Sequence, residues 1–384
     1  MSYRSYLNRK ILKNNFNFIP LIILIVTVLV CLAFNVKNKA TNSYIMDAKD
    51  NIRQGKQALQ DSQNDLKRKR LTVSDRKLDL ANIANEKKDI KINQTIIRLS
   101  HQHQWRAAYQ QKIRQIQEDL TVAQASKGSG SGLINAMKRD RLIYQDLASK
   151  SLEKQDDDFP TQGIGYSVWV SKTILPYLLV LAITFVLVQV YGDAFEGKLN
   201  KNKLLPISKV TITTQNILSG SFFAIVLWLL TELTAVIAGT VVSGIGALNY
   251  PYLSYAIGSG KILLQNISKL ILPSLILQGL AIVFIVEITY FIVTLVRNRL
   301  AALFVILLLT LGLILVTTVV EPLQRIAAFL PTTYINGISI VSGQYGHAIA
   351  NSQISFATGV ITLLIGIVGL YGFTLVMNTK LKKF

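Results

Sequence analysis

Six apolar runs, roughly 18–36, 167–191, 217–247, 270–296, 300–320 and 356–377, each approach or exceed the ~20 residues a helix needs to cross the hydrocarbon of a bilayer. Inside lipid every backbone N–H and C=O must find a partner within the protein, which leaves helices or closed barrels. Runs of this length without alternation favour helices, so the chain reads as an all-α membrane protein with six transmembrane helices. The rest of the composition agrees. Half of the 384 residues are hydrophobic (51%) and only 16% are charged, against roughly 25% in an average soluble domain. The 41 Lys+Arg nevertheless outnumber the 21 Asp+Glu, for a formal charge of +20, so apolar runs alternate with basic polar segments.

Several chemistries lose their footing. Cys31 is the single cysteine, which excludes an internal disulfide framework and a Cys-based zinc site. Three histidines, His101, His103 and His347, leave little for His-metal or His-base work. No GxxxxGK[ST] phosphate loop occurs, so no nucleotide site of that kind lies in this chain. No enzyme site, metal site, cofactor of its own or nucleic-acid partner is expected.

Basic residues set the orientation. Arg4, Arg9, Lys10 and Lys13 precede the first run, and Lys198, Lys201, Lys203 and Lys209 separate the second from the third. Arg297 and Arg299 separate the fourth from the fifth, and Lys380, Lys382 and Lys383 follow the sixth. Alternation puts these groups on one side, with only Lys172, Lys261, Lys269 and Arg325 in the short flanks of the other. Both termini are therefore expected in the cytoplasm, with residues 37–165 outside the plasma membrane. That stretch carries 24 basic and 16 acidic residues, but long translocated segments escape the charge rule. The first run is longer than a 7–15-residue signal core, so it reads as an uncleaved anchor.

The 37–165 stretch reads as helical. No proline occurs between Pro20 and Pro160, and its few glycines cluster in Gly128-Ser-Gly-Ser-Gly132. Apolar residues recur every seven at Ile45, Ile52, Leu59, Leu66, Val73 and Leu80, then at Ile83, Ile90 and Ile97. Tyr109, Ile113, Ile116 and Leu120 form a second helical stripe. With Ala48, Gly55 and Ser62 at the alternate positions, the expectation is a slender coiled-coil-like helical hairpin, an extracellular stalk with its return helix near 133–153. The basic block 67–70 with Arg76 and Lys77 reads as a solvated helix face or as a seat for an anionic partner. His101 and His103 stand two apart and so do not share a helix face.

The loop 192–209 contains Glu196-Gly197, then Leu204-Leu205-Pro206-Ile207-Ser208-Lys209, then an apolar helix. It resembles the first cytoplasmic loop of ABC transporter permeases of the type-2 exporter class, with a tighter spacing and Lys198 after the glycine. Residues 1–17, with Tyr3, Tyr6, Leu7, Ile11 and Leu12 among basic residues, look like that family's amphipathic elbow helix. Residues 321–355, apolar but broken by Pro322 and Pro331, are similar to its re-entrant half-helices. The resemblance covers 1–36 and 166–384, the latter a five-helix region. It implies that Glu196, Gly197, Leu204, Leu205, Pro206, Ile207, Ser208 and Lys209 form a short coupling helix on an ATPase. It also implies two ATPase subunits holding ATP and Mg, a second permease subunit that is identical or a paralogue, and surrounding membrane lipids. The cargo would be a peptide, drug or lipid-like compound. The Asn-, Lys- and Ile-rich composition suggests an AT-rich Gram-positive bacterium, where antimicrobial peptide export is common.

Glu232 and Glu287 lie inside the third and fourth runs. Buried acids in a membrane face protein or water, so each reads either as part of a substrate path or subunit interface, or as a packed, hydrogen-bonded residue. Gly366, Gly369 and Gly372, like Gly239, Ser243 and Gly246, mark close helix packing. Two other readings remain open from the sequence: a stalked membrane receptor or scaffold without transport, and an ion-coupled carrier using the two acids.

Overall fold

The computed structural model describes residues 3–39, 43–67, 73–125, 130–196, 199–204 and 206–380. In chain order the helices are α1 (Tyr3–Lys13), α2 (Ile19–Lys39), α3 (Tyr44–Lys67), α4 (Val73–His101), α5 (Trp105–Ala125), α6 (Ser131–Lys150), α7 (Gly163–Thr173) and α8 (Leu175–Gly192). Two-residue strands β1 (Phe195–Glu196) and β2 (Leu199–Asn200) precede α9 (Lys209–Ser243); β3 (Pro251–Tyr255) and β4 (Ile262–Asn266) precede α10 (Ile267–Val296). Then come α11 (Arg299–Leu307), α12 (Leu313–Val316), α13 (Glu321–Ile326), α14 (Gly337–Val341), α15 (Gln344–Ala348) and α16 (Phe356–Lys380). Six helical segments are long and apolar enough to cross a membrane, as the six runs require.

The chain divides into two units: Met1–Ala33 with Gln162–Leu248 and Tyr252–Phe384, and Phe34–Thr161 with Asn249–Pro251.

In the first unit α8 is the centre. Pro176 sits in its first turn, where a missing N–H costs nothing, and the helix is apolar all round and buried on most sides, as such a helix must be. Leu179, Ile183, Val186 and Leu187 pack in one core with Leu277, Ile282, Ile285 and Val286 of α10. The surrounding helices turn large apolar side chains outward, among them Phe222, Leu233 and Val241 on α9, Phe304 and Leu308 beside α11, and Ile365, Val368 and Phe373 on α16. In water such a surface would aggregate; in hydrocarbon it is the expected exterior. Helix α9 is capped by Ser208, whose Oγ accepts from the Thr211 N–H at 3.1 Å. It crosses α7 where a Cβ on Gly239 would stand 2.9 Å from the Gly163 Cα. Only glycine permits that approach. Gly366 meets Pro331 and Phe284, whereas Gly369 and Gly372 have nothing near them, so the glycine stripe of α16 is a packing face only at its first member.

Residues 321–355 form short helices against α10 and α16. The chain passes so close to α10 that a Cβ on Gly337 would lie 2.5 Å from the Ser274 carbonyl. Phe284, beside Pro331, lies about 25 Å along α10 from its start. Broken helix leaves carbonyls unpaired, and here the Ala328 carbonyl accepts from Tyr334 Oη at 2.7 Å and Thr362 Oγ1 at 3.1 Å.

The second unit has a core of its own. Helix α3 packs on α4, α4 on α5 and α5 on α6. Tyr44, Tyr109 and Tyr144 gather with ring centroids 5.3 to 5.7 Å apart. Tyr109 Oη donates to the Leu152 carbonyl (2.9 Å) and accepts from the Lys154 N–H (2.7 Å). The seven-residue stripe does not run through as one seam. It crosses from α3 to α4, and there Val73 is 89% exposed and Leu80 is exposed as well. The small alternate positions Ala48 and Gly55 are buried instead, Gly55 against Ile90. Residues 68–70 of the basic block and 128–129 of the Gly/Ser turn lie outside the described residues.

Candidate functional site

Five segments of the first unit meet at one end. Asp193, just past α8, pairs with Lys10 of α1 at 3.0 Å and Arg299 of α11 at 2.5 Å. Lys10 Nζ also donates to the Val190 carbonyl at 3.3 Å, a cation on the carbonyl end of a helix, where the backbone dipole favours it. Asn216 near the start of α9 donates to Tyr3 Oη (3.1 Å). Asn378 of α16 donates to Thr213 Oγ1 at 3.0 Å, and Thr214 and Tyr371 hydroxyls lie 2.7 Å apart. The basic residues flanking the spans thus belong to ends that come together in space. Sequence reasoning passed over Asp193. Its signal was an acid at a span boundary among basic neighbours.

From this junction the chain leaves as a small antiparallel hairpin, Phe195 opposite Asn200 and Glu196 opposite Leu199, closed by the Lys201 N–H donating to the Ala194 carbonyl at 2.8 Å. A 3-10 turn over Lys201–Leu204 follows. Where the family resemblance implies a short coupling helix, the described residues hold this single turn. Leu204 is 70% exposed, Pro206 and Lys209 are exposed, and Ile207 is half-buried. Ser208 is the α9 cap. Gly197 and Leu205 lie outside the described residues, as does the Glu196 side chain.

The two intramembrane acids are not brought together. Glu232 on α9 accepts from Ser167 Oγ at 2.7 Å and from Ser171 Oγ, both on α7. Its carboxyl is satisfied inside the protein and pins α9 to α7. Glu287 on α10 is 4% exposed, and its Oε2 has no hydrogen-bond partner among the described residues. It lies one turn before Tyr290, whose ring meets Tyr191 edge-on at 5.1 Å. Lys172 donates to Gln344 Oε1 at 2.7 Å. His103 adopts a left-handed backbone (φ 54°) past the end of α4, with its ring against Trp105.

No family model, curated protein or solved structure matches this chain.

Proposed function

We propose that this chain is the membrane-spanning permease subunit of an ATP-driven exporter of the ABC type. It works with two ATPase subunits, which carry the ATP and Mg, and with a second permease chain. The observation that carries the reading is the loop at 193–209. Leu204, Pro206 and Lys209 are exposed between the start of α9 and a short hairpin whose base, Asp193, is tied to α1 and α11. A push on an unanchored loop would dissipate in the loop. A push on this one reaches α1, α8, α9 and α11 at once. The basic end faces the cytoplasm, the second unit lies outside the plasma membrane, and the cargo is a peptide, drug or lipid-like compound. ATP-driven closure of the ATPases moves the loop and opens a path between two permease chains.

Purification of tagged protein in mild detergent, with mass spectrometry and ATPase assay of what accompanies it, tests the reading. Wild type should bring down an ATPase near stoichiometrically, and Leu204→Ser with Ile207→Ser should lose it without losing its fold. Wild-type protein that comes out of its native membrane in good yield and without an ATPase refutes the exporter.

A further inference from the structure

In a bilayer a freed backbone carbonyl finds no water, so a spanning helix has reason to keep one hydrogen-bond register from end to end. Three of the long spans stay α-helical throughout: α9, α10 and α16. The fifth does not. Helix α11 (Arg299–Leu307) passes into a π turn, Leu308–Gly312, and only then into α12 (Leu313–Val316). In a π turn each N–H reaches back five residues instead of four, and such turns are common points of bending. Among the described residues no other span contains one.

The residues of the turn make it soft. Thr310 is fully buried, and its Oγ1 donates to the Ile306 carbonyl at 2.7 Å, a side-chain bond that competes with the helix and bends it. Gly312 brings the poorest helix former after proline. A Cβ there would make ordinary contact with the Leu308 side chain at 3.5 Å and the Leu307 carbonyl at 3.9 Å. Leu308 and Leu309 are exposed, so the outer side of the turn is not braced by protein.

The two halves of the span are fastened to different parts of the unit. Before the turn, α11 belongs to the junction around Asp193. Asn298 caps it, with Oδ1 accepting from the Ala301 N–H at 3.1 Å. Arg299 reaches Asp193 at 2.5 Å, its stem so close that a Cβ on Gly192 would stand 2.6 Å from Arg299 Cγ. After the turn, α12 packs against Pro331–Ile335. Thr317, just past α12, accepts from Tyr345 Oη at 3.1 Å, and the Thr318 carbonyl accepts from Gln324 Nε2 at 3.0 Å. Asn351 Nδ2 in turn donates to the Gln324 carbonyl at 2.7 Å. The register changes where one attachment gives way to the other.

We propose that the π turn Leu308–Gly312 is a hinge on which α11 swings with the Asp193 junction while α12 stays with residues 321–355. A change of about 20° in the bend, the scale of kinks at such turns, acts on a nine-residue helix about 13 Å long and moves its start by about 5 Å. The hinge goes beyond the permease reading, because it is a property of this chain and needs no ATPase.

Pulsed dipolar distances between spin labels, on the full chain in detergent with Cys31→Ala, test the hinge. One pair, Leu300→Cys with Val376→Cys, reports the start of α11 against the end of α16. The other, Leu315→Cys with Ile361→Cys, reports α12 against the beginning of α16. All four positions are exposed, so the labels displace no packed side chain. Asp193→Lys sets three cations together with Lys10 and Arg299 and drives the start of α11 away. The first distance should then shift by up to about 5 Å, the swing estimated above, and the second should not move. Adding Gly312→Ala, which has room and favours straight helix, should shrink the first shift. A shift of both pairs together describes a rigid rod and overturns the hinge. So does a first distance that stays within its starting width, or a shift that Gly312→Ala leaves intact. Should Asp193→Lys fail to fold, the widths with Asp193 in place decide: a first distribution broader than the second, narrowed by Gly312→Ala, supports the hinge, and equal widths overturn it.

Discussion

Asp47 shows at the scale of one side chain how burial can work against the fold. Burial raises its carboxyl above the ordinary 3.8, against the pull of Lys154 and Lys112 and with the push of Asp156 and Asp50. The folded unit therefore holds this proton more tightly than the unfolded chain does. The stability gained is fully present below pH ~3.8 and is lost as the pH rises through the raised value. Asp47→Asn removes the charge and keeps the shape, so its melting temperature should exceed wild type at pH 7 and converge on it in acid. A variant no more stable at pH 7 than wild type contradicts the assignment. Asp193 is the opposite case, an acid that the fold uses. Its pairs with Lys10 and Arg299 are partly exposed, which limits each to roughly 0–1 kcal/mol. Asp193→Ala should lower the melting temperature only slightly while making α1 more sensitive to limited proteolysis. Unchanged cleavage near Lys10 and Lys13 would show that the junction does not hold α1.

At the scale of elements, close packing and satisfied polar groups carry the argument. The α7–α9 crossing brings Gly163 and Gly239 together and closes with the Glu232 carboxyl on Ser167 and Ser171. Gly239→Leu should force the helices apart at about 1–3 kcal/mol, as overpacking does, and lower the melting temperature in detergent. Gly369→Leu, at a position with nothing within 4 Å, should not. Equal losses at both would mean that intrinsic helix preference rather than packing is being read. The glycines at 239 and 369 look alike in sequence because a glycine is recorded there without its neighbour. The same blindness explains the heptads. Spacing alone put Val73 and Leu80 on one buried seam with the α3 positions, but both belong to α4 and are exposed. The small alternates Ala48 and Gly55 are the positions that let the helices approach.

For the whole molecule the testable statement is sidedness. With Cys31 replaced by Ala, Leu204→Cys and Val73→Cys each supply one exposed thiol. An impermeant maleimide added to intact cells should label the thiol at 73 and miss the one at 204 until the membrane is opened. Labelling of both from outside, or of 204 alone, reverses the orientation on which the exporter reading depends.

The helical character of the chain and its six candidate spans were legible from sequence, because apolar run length, proline placement and helix periodicity are local properties. Residues 321–355 were also recognisable as too apolar for a loop and too broken for a single helix. The pairing of Asp193 with Lys10 and Arg299, the capture of Glu232 by two serines, and the tie of Thr317 to Tyr345 were not. Each joins residues tens to hundreds of positions apart, and no spacing rule records which helices will become neighbours. Propensity acts along the chain, so it is written there. A buried orphan oxygen or an ion-paired junction exists only after helices have packed, and tertiary structure alone decides it.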